Sequence, residues 1–246
     1  MSEQMSRVAI VTGASRGIGA AVAERLAADG FAVVVNYAGS AAPAEVLVQK
    51  IIEAGGKAVA AQADIADPAA VKHLFDQTEA AFGGVDVLVN NAGIMQLAPI
   101  AATEDASFDR QIAVNLKGSF NTLREAATRL REGGRIVNFS SSVVGLLMPG
   151  YAAYAATKAG VEAMTAIFAK ELRGRNVTVN AVAPGPVATE LFLTGKSEQQ
   201  VEHMAKLAPL ERLGQPEDIA RTVAFLVGPD AGWINGQVLR ANGGVI

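Results

Sequence analysis

Tyr154 and Lys158 stand four residues apart in the run Tyr-Ala-Ala-Thr-Lys, and Ser141 lies thirteen residues before the tyrosine. On a helix, residues i and i+4 project from one face, so the ammonium of Lys158 can sit beside the phenol of Tyr154. A phenol titrates near 10 in water, too high for efficient proton exchange at neutral pH. A fixed cation beside it favours the phenolate and lowers that value, at about 1.4 kcal/mol per unit. A serine hydroxyl from a neighbouring strand end can hold a carbonyl oxygen against the phenol. Together the three groups are equipped for proton transfer to a ketone oxygen. Alone, Tyr-x-x-x-Lys is weakly specific, since the pair occurs by chance on many helices.

The first forty residues raise its meaning. Val8-Ala-Ile-Val-Thr12 is a short β-branched apolar run, read as a buried strand. It runs into Gly13-Ala-Ser-Arg-Gly17-Ile-Gly19, and Ala20 to Ala28 has a helical composition. Strand, glycine turn and helix together present free backbone N–H groups and a helix N-terminus to a phosphate. The glycines permit the tight turn and let a pyrophosphate approach the backbone. The spacing is G-x-x-x-G-x-G rather than the G-x-G-x-x-G dinucleotide fingerprint. Dinucleotide folds usually place an acidic side chain after the second strand to accept from a ribose 2′-hydroxyl. Here that place falls to Asn36, which is neutral and leaves room for a phosphate. Arg16 can offer that phosphate a charge-assisted fork, and Ser40 a hydroxyl, which favours NADP(H) over NAD(H).

Further motifs join these in order. Thr12-Gly-x-x-x-Gly-Ile-Gly19, Asn90-Asn-Ala-Gly93, Asn115, Ser141, Tyr154-x-x-x-Lys158 and Pro184-Gly-Pro-Val-Ala-Thr189 follow one another along the chain. In order and spacing they resemble the short-chain dehydrogenase/reductase family, and in particular 3-oxoacyl-acyl-carrier-protein reductases and related ketone reductases. The resemblance covers essentially the whole chain. It implies an NADP(H)-dependent ketoreductase with Tyr154 as general acid in reduction and Ser141 on the carbonyl oxygen. Lys158 would lower the tyrosine pKa and bind the nicotinamide ribose. Asn115 would kink its helix and hold a water that connects the lysine to solvent.

The same resemblance implies a cofactor cradle to which Tyr154 and Lys158 also belong. The glycine loop would contribute Gly13, Ser15, Arg16, Gly17, Ile18 and Gly19, and the end of the second strand Asn36, Tyr37 and Ser40. Asp64 and the Ile65 backbone would meet the adenine. Asn91, Ala92 and Gly93 would meet a ribose. Pro184, Gly185, Val187 and Thr189 would meet the nicotinamide, with Thr189 on its carboxamide.

Two identities need care. Ser140, Ser141 and Ser142 are consecutive, and strand alternation sends neighbours to opposite faces. Ser141 matches the resemblance on both counts, three residues past Asn138 and thirteen before Tyr154; Ser142 is the fallback for a shorter loop. Asn115 is a poor helix former in mid-helix, and a buried amide bonded to local backbone is its plain structural reading. Tyr151 has Ala155 rather than a lysine at i+4, so it lines the pocket.

The chain has 246 residues, half of them apolar, with a mean hydropathy of +0.27. That suits one α/β domain over residues 1–246 with a large core. No apolar run approaches the roughly 18 residues of a membrane span. Met1 to Arg7 lacks the apolar segment of a signal peptide and leads at once into the first strand. There is no cysteine, hence no disulfide or thiolate-bound metal, and a cytoplasmic setting is expected. His73 and His203 are too few and too separated for zinc and are expected on helix surfaces, so no metal is expected. A net charge of −3 gives no electrostatic reason to expect nucleic acid or an anionic membrane.

Strand-like and helix-like segments alternate, predicting a doubly wound Rossmann-type α/β fold of about seven parallel strands with helices on both faces. After the first unit come a strand over 31–36, a helix over about 42–54 and a strand over 57–61. A helix then opens on Asp67 as cap with Pro68 in its first position, followed by a strand over 86–90. A long helix is expected from about 103 to 130, broken near Phe108. A strand over 135–140, the helix of Tyr154 and Lys158 to about 173, and a strand over 177–183 come next. Residues 190–212 show no strand pattern and read as a mobile helical lid. A helix over 216–227 and a strand over 237–240 close the chain. Ligands of such sheets bind beyond the carboxyl ends of the strands where strand order reverses. Gly13, Asn36, Asp64, Asn91, Ser141 and Pro184 all follow strands at that end.

The expected pocket walls are Met95, Leu97, Val143, Leu146, Leu147, Met148, Tyr151, Phe192 and Met204. They are mostly apolar, with methionines that adapt to varied shapes, which favours a hydrophobic ketone or β-keto ester. The resemblance instead suggests a 3-oxoacyl thioester on an acyl carrier protein, an acidic partner that needs a basic patch at the mouth. Arg129, Arg131, Arg173 and Arg175 are the candidates for it. The helices around 103–130 and 151–173 carry apolar residues on more than one face, Val161, Met164, Ile167 and Phe168 among them, and such faces need covering. The resemblance implies a homotetramer, with a dimer as the runner-up. A non-catalytic NADP-binding sensor or scaffold would not need all four catalytic groups. A related sugar-nucleotide epimerase would need a further C-terminal sugar domain.

Overall fold

Runs of β-branched residues too apolar to face water on either side build the centre of the molecule. In the computed structural model, which describes residues 6–246, β1 (Val8–Val11) is buried at every position and β2 (Ala32–Tyr37) at all but Tyr37. Residues 1–5, read above as part of a start without an apolar leader, lie outside the described residues. The other strands are β3 (Lys57–Gln62), β4 (Val85–Asn90), β5 (Leu130–Phe139), β6 (Thr178–Pro184) and β7 (Val238–Ala241). All pair in parallel in the order β3-β2-β1-β4-β5-β6-β7. The order reverses between β1 and β4, so the crevice of a doubly wound sheet opens there, at the carboxyl ends.

Helices α1 (Gly17–Ala28), α2 (Ala42–Glu53) and α3 (Pro68–Phe82) follow the first three strands. Between β4 and β5 lie α4 (Asp105–Gln111) and α5 (Ser119–Arg129); between β5 and β6 lie α6 (Val143–Leu146) and α7 (Ala152–Glu171). The return to β7 carries α8 (Glu190–Leu193), α9 (Glu198–Leu207) and α10 (Pro216–Val227). On one face of the sheet Val22, Leu26, Leu47, Ile51, Ile219 and Val223 form a buried layer. On the other, Val71, Leu74, Phe75, Leu123, Phe168 and Leu172 do the same. Asp67 caps α3 by accepting from the Ala69 N–H at 2.9 Å, with Pro68 behind it, as its sequence signature requires.

Two expectations change. The helical run between β4 and β5 is not broken near Phe108, which lies inside α4; instead Ile112–Gly118 is π-helical, with Asn115 at its centre. The irregularity follows the tertiary bonds of Asn115 rather than local propensity. Val161 and Phe168, expected to need an outside cover, are buried within the chain itself because α7 already lies on the sheet. Of the four residues only Ile167 faces solvent, with Phe120 on α5. Among the described residues no helix is long and apolar enough to cross a membrane.

The 190–212 segment holds α8 and α9, and neither has a fully buried residue. Its roots are pinned together. Val187 and Gly214 form a parallel bridge, with the Ala188 N–H on the Gly214 carbonyl and the Gly214 N–H on the Pro186 carbonyl, both at 2.9 Å.

Candidate active site

The glycine turn between β1 and α1 takes φ of +60° at Gly13 and +57° at Gly17, a region costly for any side chain. A Cβ on Gly13 would lie 2.8 Å from Ala92 Cα, and one on Gly19 2.5 Å from Asn91 Nδ2. The glycines thus serve a close approach to the Asn90–Gly93 turn as well as to any ligand. The N-cap of α1 is Arg16, which makes no side-chain capping bond, and the first turn holds no acid. Its first N–H groups are therefore left to an anion, which fits a pyrophosphate. Thr12, the first residue of the glycine motif, was given no role of its own by the sequence. Its buried Oγ1 accepts from the N–H groups of Asn91 and Ala92, both at 3.1 Å, and Asn91 Nδ2 donates back to the carbonyls of Thr12 and Gly13. A threonine closing a buried strand just before the glycine turn was the available signal.

Asn36 borders the glycine-loop cleft but is buried, with Oδ1 accepting from the Gly13 N–H at 3.2 Å and Nδ2 donating to the carbonyls of Ala61 and Ala63. Its neighbour Tyr37, half-buried, borders the same cleft. Ser15, Ser40, Asp64, Ile65 and Ala92 line the same cleft as Tyr37 and the glycine loop. Asp64 accepts from the Ala66 N–H at 2.9 Å and pairs with Arg110 at 3.1 Å. Arg16, also on this cleft, pairs its Nη1 with Glu190 of α8 at 3.0 Å, both side chains being largely exposed.

The three serines part ways. Ser140 Oγ donates to Glu162 at 2.5 Å; Ser142 Oγ donates to the Ala183 carbonyl and accepts from Asn242 Nδ2 at 3.0 Å. Of the three, Ser141 is the one whose side chain acts on the Tyr154 phenol, and it lines the same pocket. Burial pushes that phenol up to about 12, against the pull of Ser141, and the Tyr151 phenol adds to the rise. The expected lowering by Lys158 does not appear among the causes of the shift. Lys158 is buried, its Nζ donates to the Phe139 carbonyl at 2.9 Å and lies 5.7 Å from the Tyr154 ring centre, and burial draws its own pKa down to about 8.

Asn115 is fully buried. Its Oδ1 accepts from the Ile94 N–H at 2.8 Å, while Nδ2 donates to the Ile94 carbonyl at 2.9 Å and to Thr157 Oγ1 at 3.3 Å. It ties the loop after β4 to the helix residue beside Lys158. Gly93 fits between, since a Cβ there would lie 3.3 Å from Asn115 Oδ1 and 3.6 Å from Lys158 Nζ.

Ser141, Tyr154 and Lys158 share a pocket with Met95, Val143, Leu146, Met148, Tyr151, Phe192 and Met204, as expected, and with Pro184, Gly185 and Val187. Leu97 lines a second cleft farther out, under the 190–212 segment. Leu147 is not a wall: it caps α6 at φ +52° and is 78% exposed. Ile18, Asn91, Gly93, Thr189 and Leu191 border both this pocket and the glycine-loop cleft, so the two cavities meet. Thr189 also caps α8, accepting from the Phe192 N–H at 3.3 Å.

The arginines expected at the mouth are elsewhere. Arg129 is clamped by Asp76 and Glu79 at 2.7 Å and Glu125 at 3.2 Å; Arg131 pairs with Asp86 at 3.1 Å. Arg175 donates to the carbonyls of Ala127 and Leu130, leaving Arg173 exposed. All sit near the start of β5 or ahead of β6, at the amino end of the sheet. The six residues of β4 paired along this span, at about 3.3 Å each, place that end on the order of 20 Å from the pocket. Among the described residues no three His, Cys, Asp or Glu gather as a metal site, and His73 and His203 are exposed on α3 and α9.

A family model described as enoyl-(acyl carrier protein) reductase matches residues 13–246. A short-chain type dehydrogenase/reductase of Picea abies is 48% identical over 250 residues, covering 98% of this chain and 92% of its own. An Arabidopsis thaliana protein named NADPH-dependent aldehyde reductase-like, chloroplastic, is 45% identical, covering 98% and 94%. A 3-oxoacyl-[acyl-carrier-protein] reductase of Staphylococcus aureus is 43% identical, covering 98% and 99%. Among solved structures, a short chain dehydrogenase of Burkholderia cenocepacia in complex with NADP superposes with a TM-score of 0.93 at 38% identity, over 99% of each chain.

Proposed function

This chain belongs to the short-chain dehydrogenase/reductase family, and on that premise we propose that it reduces a hydrophobic ketone or β-keto ester to a secondary alcohol with NADPH. The observation that carries the proposal is the gathering of Ser141, Tyr154 and Lys158 in one apolar pocket that opens into the glycine-loop cleft. NADPH held in the glycine-loop cleft would supply the hydride. Ser141 holds the carbonyl oxygen and Tyr154 gives it a proton as charge develops there. Lys158 supplies positive charge near the phenol and hydroxyl contacts to the ribose. Asn115 holds the Ile94 loop and the neighbour of Lys158 in place. Thr189 would contact the nicotinamide carboxamide, and the segment from Glu190 would close the pocket against water.

NADP(H) suits the cleft. Its nucleotide end presents no carboxylate at Asn36 or Tyr37, Ser40 is exposed there, and Arg16 can exchange Glu190 for a 2′-phosphate. The NADP complex of the Burkholderia neighbour supports the same cofactor. We further place the enzyme in the cytoplasm as a homotetramer, with Phe120 and Ile167 covered by a second copy; a monomer in light scattering at micromolar concentration would remove that assignment.

The Staphylococcus relative favours a second substrate, a 3-oxoacyl group on an acyl carrier protein. The commitment of Arg129, Arg131 and Arg175 within the fold weighs against it, as an acidic carrier needs free cations at the mouth. One NADPH-oxidation assay comparing ethyl acetoacetate, aryl ketones, an aldehyde and an acetoacetyl carrier protein decides between them. A carrier-protein efficiency about a hundredfold above the others, a gap of some 2.7 kcal/mol, would overturn the first choice. Tight NADPH binding with no turnover on any of them would make the chain a sensor rather than an enzyme.

A further inference from the structure

Ser107, Gln111 and Asn115 follow one another at four-residue spacing along the α4 and π-helical run, and all three grip the loop after β4. Asn115 bonds both the N–H and the carbonyl of Ile94. Gln111 Oε1 accepts from the Gln96 N–H at 3.2 Å, and Ser107 Oγ donates to Gln96 Oε1 at 2.6 Å. Between these clamps stands Met95, whose side chain lines both the inner pocket and the outer cleft. A residue held on both sides along its backbone has little freedom to retreat from a substrate.

Gln111 is the informative member of the stripe. It is fully buried, yet its Nε2 has no hydrogen-bond partner among the described residues. An orphaned buried donor costs stability, and an apolar side chain of similar size would fill the space without it. Packing alone therefore disfavours glutamine here. What glutamine supplies and leucine lacks is the acceptor for Gln96.

We propose that Gln111 is a positioning residue for substrate selectivity, acting through the Gln96 N–H to hold Met95 as a fixed pocket wall. It touches neither the cofactor cleft nor the reacting atoms. The proposal rests on the carbonyl-reductase reading above. Loosening one wall of an apolar pocket changes the ranking of substrates by size more than it changes proton transfer, because a methylene-sized misfit is worth about tenfold or more in discrimination.

The test uses Gln111→Leu, Gln111→Glu and Met95→Ala in the full-length enzyme. For Gln111→Leu the thermal midpoint and the NADPH affinity should stay near wild type. The ratio of kcat/KM between a bulky aryl ketone and a small keto ester should shift about tenfold. Gln111→Glu keeps an acceptor for Gln96 and should restore most of the ratio. In a Met95→Ala background Gln111→Leu should add little further shift, since both changes act on one wall. Equal loss on every substrate, or full additivity with Met95→Ala, overturns the proposal. Amide hydrogen exchange gives a readout independent of turnover: the Gln96 N–H should lose protection in Gln111→Leu and regain it in Gln111→Glu. If wild type reduces no carbonyl compound, the reaction assigned above fails. The exchange result then decides the clamp alone, and unchanged Gln96 protection in Gln111→Leu sinks it.

Discussion

Lys158 sits one turn beyond Tyr154 on α7, yet its ammonium reaches past the phenol to the Phe139 carbonyl at 2.9 Å, leaving the nitrogen 5.7 Å from the ring centre. Two groups that must change or carry charge are thus desolvated together, and burial moves both toward their neutral forms.

That pair should write itself into the alkaline stability curve of the ligand-free protein. Lys158 titrates at about 8 when folded against 10.5 when free, so between those values the unfolded chain binds more protons and stability rises with pH. Tyr154 titrates at about 12 against 10.0, so the native state binds more protons there and its contribution, complete below pH 10, is lost as pH climbs through 12. Thermal midpoints of wild type and Lys158→Met should converge in favour of wild type from pH 8 to 10.5. Tyr154→Phe should blunt the fall above pH 10. A pH-independent gap in both comparisons would mean that neither group is shifted.

Replacing Tyr154 by phenylalanine keeps the ring and removes the transferable proton. A drop in kcat of about 10²- to 10⁴-fold is expected, the range of positioned general acids. NADPH affinity by fluorescence titration should stay close to wild type. Activity within a few-fold of wild type would refute the assigned acid.

Adjacent serines should behave differently. Ser141→Ala removes the hydroxyl assigned to the carbonyl oxygen and should lower kcat about 10²-fold, as for one oxyanion donor. Ser142→Ala breaks bonds to Ala183 and Asn242 and should appear mainly in the thermal midpoint, at about 1 kcal/mol. Steady-state kinetics and calorimetry on the two variants separate the roles, and a reversed pattern would reassign the catalytic serine.

Arg16 stands between two anions, Glu190 in the structure described here and the 2′-phosphate in the proposed complex. Arg16→Ala should raise the KM for NADPH about tenfold, the scale of one charge-assisted hydrogen bond, and leave NADH unchanged. Glu190→Gln should tighten NADPH binding modestly, more at low salt than at high. Equal effects on both cofactors would show that Arg16 does not read the phosphate.

Much of this site was legible because its chemistry is spaced locally. The turn from Gly13 to Gly19 and the Tyr154–Lys158 pair each lie within seven residues, and the strands that carry them are written in β-branched runs. What sequence could not supply depends on partners far along the chain. Asn36 reads from sequence as an unengaged neutral side chain, whereas Gly13, Ala61 and Ala63 hold its amide. Arg129 and Arg131 read as a free basic patch until Asp76, Glu79 and Asp86 close on them. The π-helical turn at Asn115 follows bonds to Ile94 that no local propensity encodes. Burial likewise reversed the expected direction of the Tyr154 shift, for spacing tells which groups are near but not how dry they are.

The Val187–Gly214 bridge makes the segment between them an exchangeable cassette. Both ends are fastened at one point, and its helices α8 and α9 bury no residue completely. Doubling the length of such a closed excursion costs only about 0.6 kcal/mol in closure entropy. Changes confined to α8 and α9 would reshape the pocket walls at Phe192 and Met204 while falling outside the seven strands and the Ser141–Tyr154–Lys158 cluster. The Arg16–Glu190 pair and the seat of buried Ala208 against Gly243 are the contacts such recombination has to keep.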